Sequence, residues 1–147
     1  MKLTFVPALE ADIPAIFQLN RELMHLYEDL TAIDYDRVLE WVENNIRQQL
    51  PWFRRVMMDG QLSGYFCLCP SEGKWELDSL FILPQFRSRG IGTAVVKHCL
   101  EQSEGRLFLY AFKANTGAVG LYQRLGFHVV REVRNTAYIL EYENQGC

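Results

Sequence analysis

The sequence predicts a single α/β domain in which a mixed central sheet of about six to seven strands is flanked by about four helices. Its 147 residues suffice for one core and are too few for two ordinary domains. Apolar residues recur with helical spacing in some segments and alternate as in strands in others. The resulting order, β-α-α-β-β-β-α-β-α-β-β, contains a strand–helix–strand crossover, which requires parallel strands beside antiparallel hairpins.

The first part of the chain predicts a strand followed by two helices. Leu3 to Val6 alternates like a strand. Asp12 before Ile13-Pro14 has the form of a helix N-cap with proline in the first turn, and the apolar stripe that follows continues to Tyr27. Asp34-Tyr35-Asp36 opens the second helix.

The rest of the chain alternates between strands and helices. Asp59-Gly60 predicts a hairpin between two strands, and Pro70-Ser71-Glu72-Gly73 predicts the next turn. The remaining segments are a strand from Trp75 to Leu83, a helix from about Gly90 to Gln102, a strand from Arg106 to Phe112, a helix from Asn115 to Leu125, and closing strands at Phe127–Val133 and Ala137–Tyr142.

Composition and charge exclude several classes of protein. Apolar residues make up 49% of the chain, and no apolar run approaches the roughly 20 residues needed to span a bilayer. The N-terminal residues lack the features of a signal peptide. The net charge of −3 argues against a general nucleic-acid binder. The four cysteines, Cys67, Cys69, Cys99 and Cys147, show no metal-site spacing and are interpreted as reduced. We therefore expect a cytoplasmic protein with no metal and no nucleic-acid or membrane partner.

A glycine-containing turn between a strand and a helix carries the first functional signal. It reads Arg87-Ser88-Arg89-Gly90-Ile91-Gly92-Thr93. The first turn of a helix has unpaired N–H groups and the positive end of the helix dipole, which favour phosphate. Glycine lets the backbone approach the anion closely. A dinucleotide fingerprint would need a third glycine where Val95 stands, and the GK[ST] of a Walker loop is absent. The turn therefore predicts phosphate binding, but it matches neither the dinucleotide fingerprint nor the Walker loop.

Two motifs resemble the GCN5-related N-acetyltransferase family. Residues 82–92 match the pattern Val/Ile-x-Pro-x-x-Arg-x-x-Gly-x-Gly, and residues 115–127 match Asn-x-x-Ala-x-x-Leu-Tyr-x-x-x-Gly-Phe. The resemblance implies one N-acetyltransferase domain over residues 1–147, with acetyl-CoA as co-substrate. It also implies that the residues that bind this co-substrate are Leu80, Phe81, Ile82, Arg87, Ser88, Arg89, Gly90, Ile91, Gly92, Thr93, Asn115 and Tyr122.

The resemblance also assigns roles to three candidate catalytic residues. Transfer of acetyl from a thioester to an amine requires a proton to leave the amine and another to reach the thiolate. Tyr122 occupies the family position of the acid. Glu76 and Asp78 lie two residues apart on one strand, so their side chains share a face, and Glu76 matches the family position of a carboxylate base. Whether Glu76, Asp78 or no residue is the base stays open at this point. The Ile82 amide is the expected oxyanion donor.

The acceptor is expected to be a cationic primary amine on a small molecule or a peptide. In the family, the loop between the first two helices helps to form the acceptor site, and here it supplies Tyr27, Asp29 and Tyr35, which suit a cation. Dimerisation is common among family members, so a homodimer is an open expectation. The alternatives are a non-catalytic acyl-CoA sensor of the same fold, which needs neither Tyr122 nor Glu76, and a scaffold without cofactor affinity.

Overall fold

The computed structural model describes residues 1–142, and its elements follow the predicted order. They are β1 (Leu3–Pro7), α1 (Ile13–Tyr27), α2 (Tyr35–Gln49), β2 (Phe53–Met58), β3 (Gln61–Ser71), β4 (Lys74–Ile82), α3 (Ile91–Gln102), β5 (Leu107–Phe112), α4 (Thr116–Arg124), β6 (Phe127–Val133) and β7 (Ala137–Tyr142). Short 3₁₀ turns cover Glu10–Asp12, Leu50–Trp52 and Pro84–Phe86. Cys147 lies outside the described residues.

The seven strands form one mixed sheet in the order β1-β2-β3-β4-β5-β7-β6. The contact between β4 and β5 is parallel, and the other neighbouring pairs are antiparallel. The mixed sheet and the parallel crossover through α3 are therefore confirmed. The last hairpin turns back on itself, so that β7, not β6, lies beside β5.

Two tight turns set the register of the first hairpins. Asp59 and Gly60 have φ values of +50° and +82°, as expected for the predicted two-residue turn. The second turn is shorter than predicted, because β3 continues through Pro70 and Ser71. Glu72 and Gly73, with φ values of +47° and +83°, complete it. Both turns adopt the left-handed conformation that matches the twist of the strands.

Each face of the sheet carries its own apolar core. α3 packs one face through Ile91, Val95, Val96 and Cys99, against strand residues that include Leu77, Leu109 and Leu140. On the other face, α1 and α2 pack against a second group. Its buried members are Ala8, Ile13, Ile16, Met24, Val42, Ile46, Phe53, Tyr65, Cys67 and Cys69. The sheet is thus the middle layer, with α3 on one face and α1 and α2 on the other. A gap in the sheet would connect the two faces.

Asp12 departs from its predicted role as the N-cap of α1. It makes no capping hydrogen bond with its side chain. The 3₁₀ turn already places Asp12 in the right-handed helical region, so its carboxylate turns back to accept from the Leu9 amide at 2.8 Å and the Tyr65 hydroxyl at 2.9 Å. Burial, together with the Asp12 hydrogen bond, raises the pKa of Tyr65 to about 12. Asp12 therefore ties the start of α1 to β3.

Within residues 1–142, no helix combines the length and apolar character needed to cross a bilayer.

Candidate active site

The sheet opens at its centre, between β4 and β5. Across the described residues these strands pair at three positions, Trp75 with Leu107, Glu76 with Phe108 and Leu77 with Leu109. Beyond these positions β4 continues to Ile82 and β5 continues to Phe112, but the two strands no longer pair with each other. We call this gap, bounded by residues 78–82 and 110–112, the wedge. Its edges expose backbone groups that an inserted ligand can pair with in the manner of an added strand.

A β-bulge and a glycine shape the β4 side of the wedge. Cys67 pairs with Ser79 and Leu68 pairs with Leu77, so Asp78 is an extra residue in β4. Such a bulge bends its strand and increases its local twist. A Cβ added at Gly64 would lie 2.1 Å from the Phe81 carbonyl oxygen, so only glycine permits this close approach of β3. Together these features direct β4 toward β3 and away from β5.

Backbone directions along β4 identify the groups that face the wedge. The Leu83 amide donates to Ser63 of β3 at 2.8 Å, and the Phe81 carbonyl is directed at Gly64 of the same strand. Since backbone groups alternate in direction along a strand, those of Leu80 and Ile82 face the wedge. The backbone of Leu80, Phe81 and Ile82 was predicted to bind the co-substrate. In the structure the backbone groups of Leu80 and Ile82 face the wedge, whereas those of Phe81 face β3.

The predicted phosphate turn lies where β4 leads into α3. Gly90 is the N-cap, with φ of +81°, and within the described chain no side chain caps this helix. The amides of Ile91, Gly92 and Thr93 in the first turn have no partner within the helix. A Cβ added at Gly92 would meet no described atom within 4 Å, although Gly92 has an ordinary backbone conformation. Internal packing does not require glycine here, so the turn leaves donors and open space that fit a diphosphate.

The two arginines of the turn also contact the protein itself. Arg87 donates through Nε to the Ile82 carbonyl at 3.0 Å, which ties the turn to the end of β4. The guanidinium of Arg89 lies 5.6 Å from the centre of the Phe86 ring. Ser88 has a φ of +62°, which is unusual for a residue other than glycine and costs conformational energy. Nothing in the sequence pattern indicated this strain at Ser88.

The predicted carboxyl pair, Glu76 and Asp78, lies at the start of the wedge. Burial raises the pKa of Glu76 to about 7, and the negative charge of Asp78 and a hydrogen bond with it act in the same direction. Burial also raises the pKa of Asp78, and its hydrogen bond with Glu76 acts in the opposite direction. Once the pair has lost its first proton, the hydrogen bond favours the remaining proton on Glu76 and the negative charge on Asp78. A group with this pKa can accept a proton near neutral pH.

Two of the cysteines that were predicted to be reduced, Cys67 and Cys69, flank this pair. Cys69 pairs directly with Glu76 across the strands, and Cys67 is fully buried beside them. A hydrogen bond with Cys69, burial and the charge of Asp78 raise the pKa of Cys67, which keeps this thiol neutral. The alternation of Cys67 and Cys69 along one strand was the available signal. Their contribution is an apolar floor that helps to desolvate Glu76.

Tyr122 lies on α4, on the α3 side of the sheet, and packs against the core there. Its ring meets Phe127 edge to face, with ring centres 5.8 Å apart. Burial, with a smaller contribution from Cys99, raises the pKa of Tyr122 to about 12, so the phenol stays protonated at neutral pH. The carboxyl pair belongs to the other face, where its neighbours Cys67 and Cys69 pack under α1 and α2. The acid and base candidates thus lie on opposite faces of the sheet.

Asn115, where the sequence predicted the start of the helix, caps α4. Its side-chain oxygen accepts from the Ala118 amide at 3.3 Å, and its own amide donates to the Phe112 carbonyl at 3.0 Å. The second contact anchors the start of α4 to the last residue of β5. Asn115 therefore stands at the open end of the wedge.

The loop between α1 and α2 brings one of its predicted residues to the wedge. The Tyr27 ring lies 6.0 Å from that of Phe112. Asp29 is exposed and accepts from the Thr31 hydroxyl at 2.6 Å, a hydrogen bond that lowers the pKa of Asp29. The Tyr35 hydroxyl is 2.6 Å from Nε2 of His25. These hydrogen bonds link Asp29 to its own loop and Tyr35 to α1.

Glu28, a carboxylate between Tyr27 and Asp29, was not among the predicted site residues. The Glu28 side chain is only 8% exposed, and its Oε2 lies 3.6 Å from Nη2 of Arg134 in the turn between β6 and β7. Since Ala137 pairs with Phe112, this turn lies just past the end of β5. No sequence signal could have linked two residues so far apart in the chain.

Sequence comparison matches this chain to a protein family and to individual proteins. A family model described as "Acetyltransferase (GNAT) family" matches residues 14–127. The peptidyl-lysine N-acetyltransferase YjaB of Salmonella typhimurium is 43% identical over 101 residues, covering 69% of this chain and 66% of that protein. The peptidyl-lysine N-acetyltransferase YiaC of Escherichia coli is 35% identical over 72 residues, 49% of this chain and 47% of that protein. The chain spans 44% to 66% of the length of the curated relatives it matches.

Solved structures share the fold. The PaiA N-acetyltransferase of Thermoplasma acidophilum, solved in complex with coenzyme A, aligns over 97% of this chain and 99% of its own with a TM-score of 0.69. Its sequence identity is 18%, so the similarity concerns the fold alone.

Proposed function

Because this chain belongs to the GNAT family of acetyltransferases, we propose that it is an acetyl-CoA-dependent N-acetyltransferase that transfers acetyl directly to a primary amine. The proposed acceptor is the side chain of a peptide lysine, as the names of the relatives YjaB and YiaC suggest. The proposal includes a cytoplasmic location and a peptide, not a nucleic acid, as the partner.

The observation that carries the proposal is the wedge. It lies between the predicted phosphate turn before α3 and the carboxyl pair Glu76 and Asp78, whose raised pKa values suit proton transfer. The α3 amides of Ile91 to Thr93 would hold the pyrophosphate of acetyl-CoA. The wedge-facing backbone of Leu80 and the second lone pair of the Ile82 carbonyl, whose first accepts from Arg87, would pair with the extended pantetheine arm, as an added strand does. When bound, acetyl-CoA supplies the acetyl group as a thioester. The open space at Gly92 and the unpaired edge of β4 fit this molecule.

Glu76 serves as the base in this proposal. A lysine ammonium is not nucleophilic until it loses a proton, and Glu76 has a pKa of about 7, so it can take that proton at neutral pH. Burial, followed by the negative charge of Asp78, keeps the pKa of Glu76 high. The thiols of Cys67 and Cys69 exclude water beneath the pair. The acceptor would reach it from the side of α1 and α2.

Ile82 and Tyr122 complete the transfer. The Ile82 N–H faces the wedge and donates to the oxygen on which negative charge develops. The Tyr122 hydroxyl holds the proton that the leaving thiolate requires, and its pKa of about 12 keeps that proton in place until it is needed. Acetyl thus passes directly to the amine. The lysine ammonium loses two protons on becoming the amide: Glu76 takes the first, and the second replaces the proton that Tyr122 gives to the thiolate. One proton is therefore released overall, through Glu76.

A non-catalytic acyl-CoA sensor is the second candidate, since it would need only the turn and the wedge. The elevated pKa of Glu76 favours an enzyme, because a sensor has no use for a base that titrates near neutral pH.

The experiment is a thiol-release assay with acetyl-CoA and a panel of lysine peptides, each paired with a version whose lysine is already acetylated. We expect release of coenzyme A only with the free lysine. Tight binding of acetyl-CoA with no release on any amine would support the sensor instead.

A further inference from the structure

Glu28 and Arg134 form an ion pair whose two members differ sharply in exposure. The Glu28 side chain is 8% exposed, whereas that of Arg134 is 66% exposed. Their atoms are 3.6 Å apart, which is longer than a hydrogen bond. The other Glu28 oxygen accepts from the Asp29 amide at 3.3 Å. A buried carboxylate needs close partners, and these two contacts satisfy Glu28 only weakly.

This pair stands at the open end of the wedge. Glu28 follows Tyr27, whose ring faces Phe112, and Arg134 lies in the turn that precedes Ala137, the partner of Phe112. Both residues therefore flank the last residue of β5. The loop that carries Glu28 belongs to α1 and α2, which cover the face on which Cys67 and Cys69 flank the carboxyl pair.

Exposure decides which member of the pair can be replaced. Arg134 can move into water at little cost, because most of its side chain is already solvated. Glu28 is buried and stays in place, so the departure of Arg134 would leave its negative charge without a partner. A second cation that approached Glu28 would replace Arg134 as its counter-ion, so the buried carboxylate would not be left unpaired. Glu76 and Asp78 are engaged with each other at the reacting amine and cannot serve this cation.

Resting on the proposed lysine acetylation, we infer that Glu28 binds a second positive charge of the acceptor, a basic side chain next to the reacting lysine. Arg134 occupies this position in the free protein and leaves it when the peptide binds. The site selects lysines in a basic sequence context. It also replaces Asp29 with Glu28 as the carboxylate of the loop that recognises the acceptor.

The test measures binding, so it does not depend on turnover. The probes are two conjugates in which coenzyme A is joined through an acetyl bridge to the lysine nitrogen of a short peptide. In one conjugate the neighbouring residue is arginine, and in the other it is citrulline, which has nearly the same shape without the charge. Both are titrated by calorimetry into the wild type and the variants Glu28→Gln and Arg134→Gln. Arg131→Gln, at an exposed arginine of β6, controls for loss of charge.

We expect the wild type to bind the arginine conjugate about tenfold more tightly than the citrulline conjugate. Glu28→Gln should abolish this difference. Arg134→Gln should strengthen binding of the arginine conjugate several-fold, because the competing cation is gone, and Arg131→Gln should match the wild type. Arg134→Gln changes an exposed side chain, so it remains informative if Glu28→Gln fails to fold.

Three results would overturn the inference: equal binding of the two conjugates by the wild type, a preference that survives Glu28→Gln, or weaker binding of the arginine conjugate by Arg134→Gln. Acetyl-CoA is titrated separately. If acetyl-CoA binds and the conjugates do not differ, the inference fails while the proposed function stands. If acetyl-CoA does not bind, the proposed function fails and takes the inference with it.

Discussion

Gly92 offers a substitution that should stabilise the free protein and weaken its binding of acetyl-CoA. A Cβ at this position meets no described atom within 4 Å, and the backbone there is not left-handed. Alanine in place of glycine in a helix stabilises it by about 0.5–1 kcal/mol. For a protein of this size, that corresponds to a rise in Tm of about 1–4 °C. Gly92→Asp should also be stabilising, because a negative charge favours a helix N-terminus.

Binding should change in the opposite direction. In Gly92→Asp the carboxylate would occupy the space at the turn and repel the pyrophosphate. A like-charge pair about 4 Å apart costs about 1 kcal/mol in water and about 4 kcal/mol at an effective dielectric constant of 20. The Kd for acetyl-CoA should therefore rise roughly 5- to 1000-fold. Gly92→Ala, which adds only a methyl group, should produce a smaller rise.

Calorimetry with acetyl-CoA and thermal unfolding of the free protein measure the two effects. Gly117 is the matched control, since it lies in the first turn of α4 and a Cβ there also meets no described atom. Gly117→Asp should leave the Kd unchanged. A wild-type Kd for Gly92→Asp would show that the pyrophosphate does not lie at this turn.

Three further predictions concern the acid, the base and the packing of β4. Tyr122→Phe should lower kcat about 100-fold while the Kd for acetyl-CoA stays constant, with Tyr138→Phe as the control, and an unchanged kcat would remove Tyr122 from the acid role. Burial raises the pKa of Glu76 to about 7, so its basic form, and with it kcat/KM, should rise about tenfold from pH 6 to pH 8. Glu76→Gln should lose this inflection, and a profile that kept it would assign the base elsewhere. Gly64→Ala should destabilise the fold by about 1–3 kcal/mol in urea unfolding, since its Cβ would lie 2.1 Å from a carbonyl oxygen, whereas Gly117→Ala should not.

Local signals in the sequence predicted most of the fold. Asp34 and Asn115 cap their helices through side-chain hydrogen bonds to Arg37 and Ala118, and Asp59-Gly60 forms the predicted hairpin turn. Each of these features depends on a few adjacent residues and on the conformations those residues prefer. The order of elements followed from the same kind of information.

Features that depend on distant contacts could not be predicted in this way. The position of β7 between β5 and β6 is a matter of strand pairing, which chain order does not determine. Asp12 resembled a cap, but the Tyr65 hydroxyl, 53 residues away, is one of the groups that hold its carboxylate. The bulge at Asp78 depends on the register with β3.

The candidate site also combines features that local sequence predicts with features that depend on distant contacts. The phosphate turn, the carboxyl pair and Tyr122 were found from motifs and spacing. The wedge, in contrast, comes from the incomplete pairing of β4 and β5, and the pairing of Glu28 with Arg134 comes from a tertiary contact. A motif identifies which residues carry chemistry, whereas the tertiary structure decides which of them meet.

The central claim is that acetyl-CoA binds in the wedge with its pyrophosphate at the start of α3. A calorimetric titration of the protein with acetyl-CoA tests this claim most directly. The account predicts saturable binding at one site per chain. Absence of binding at any acetyl-CoA concentration reached would contradict it.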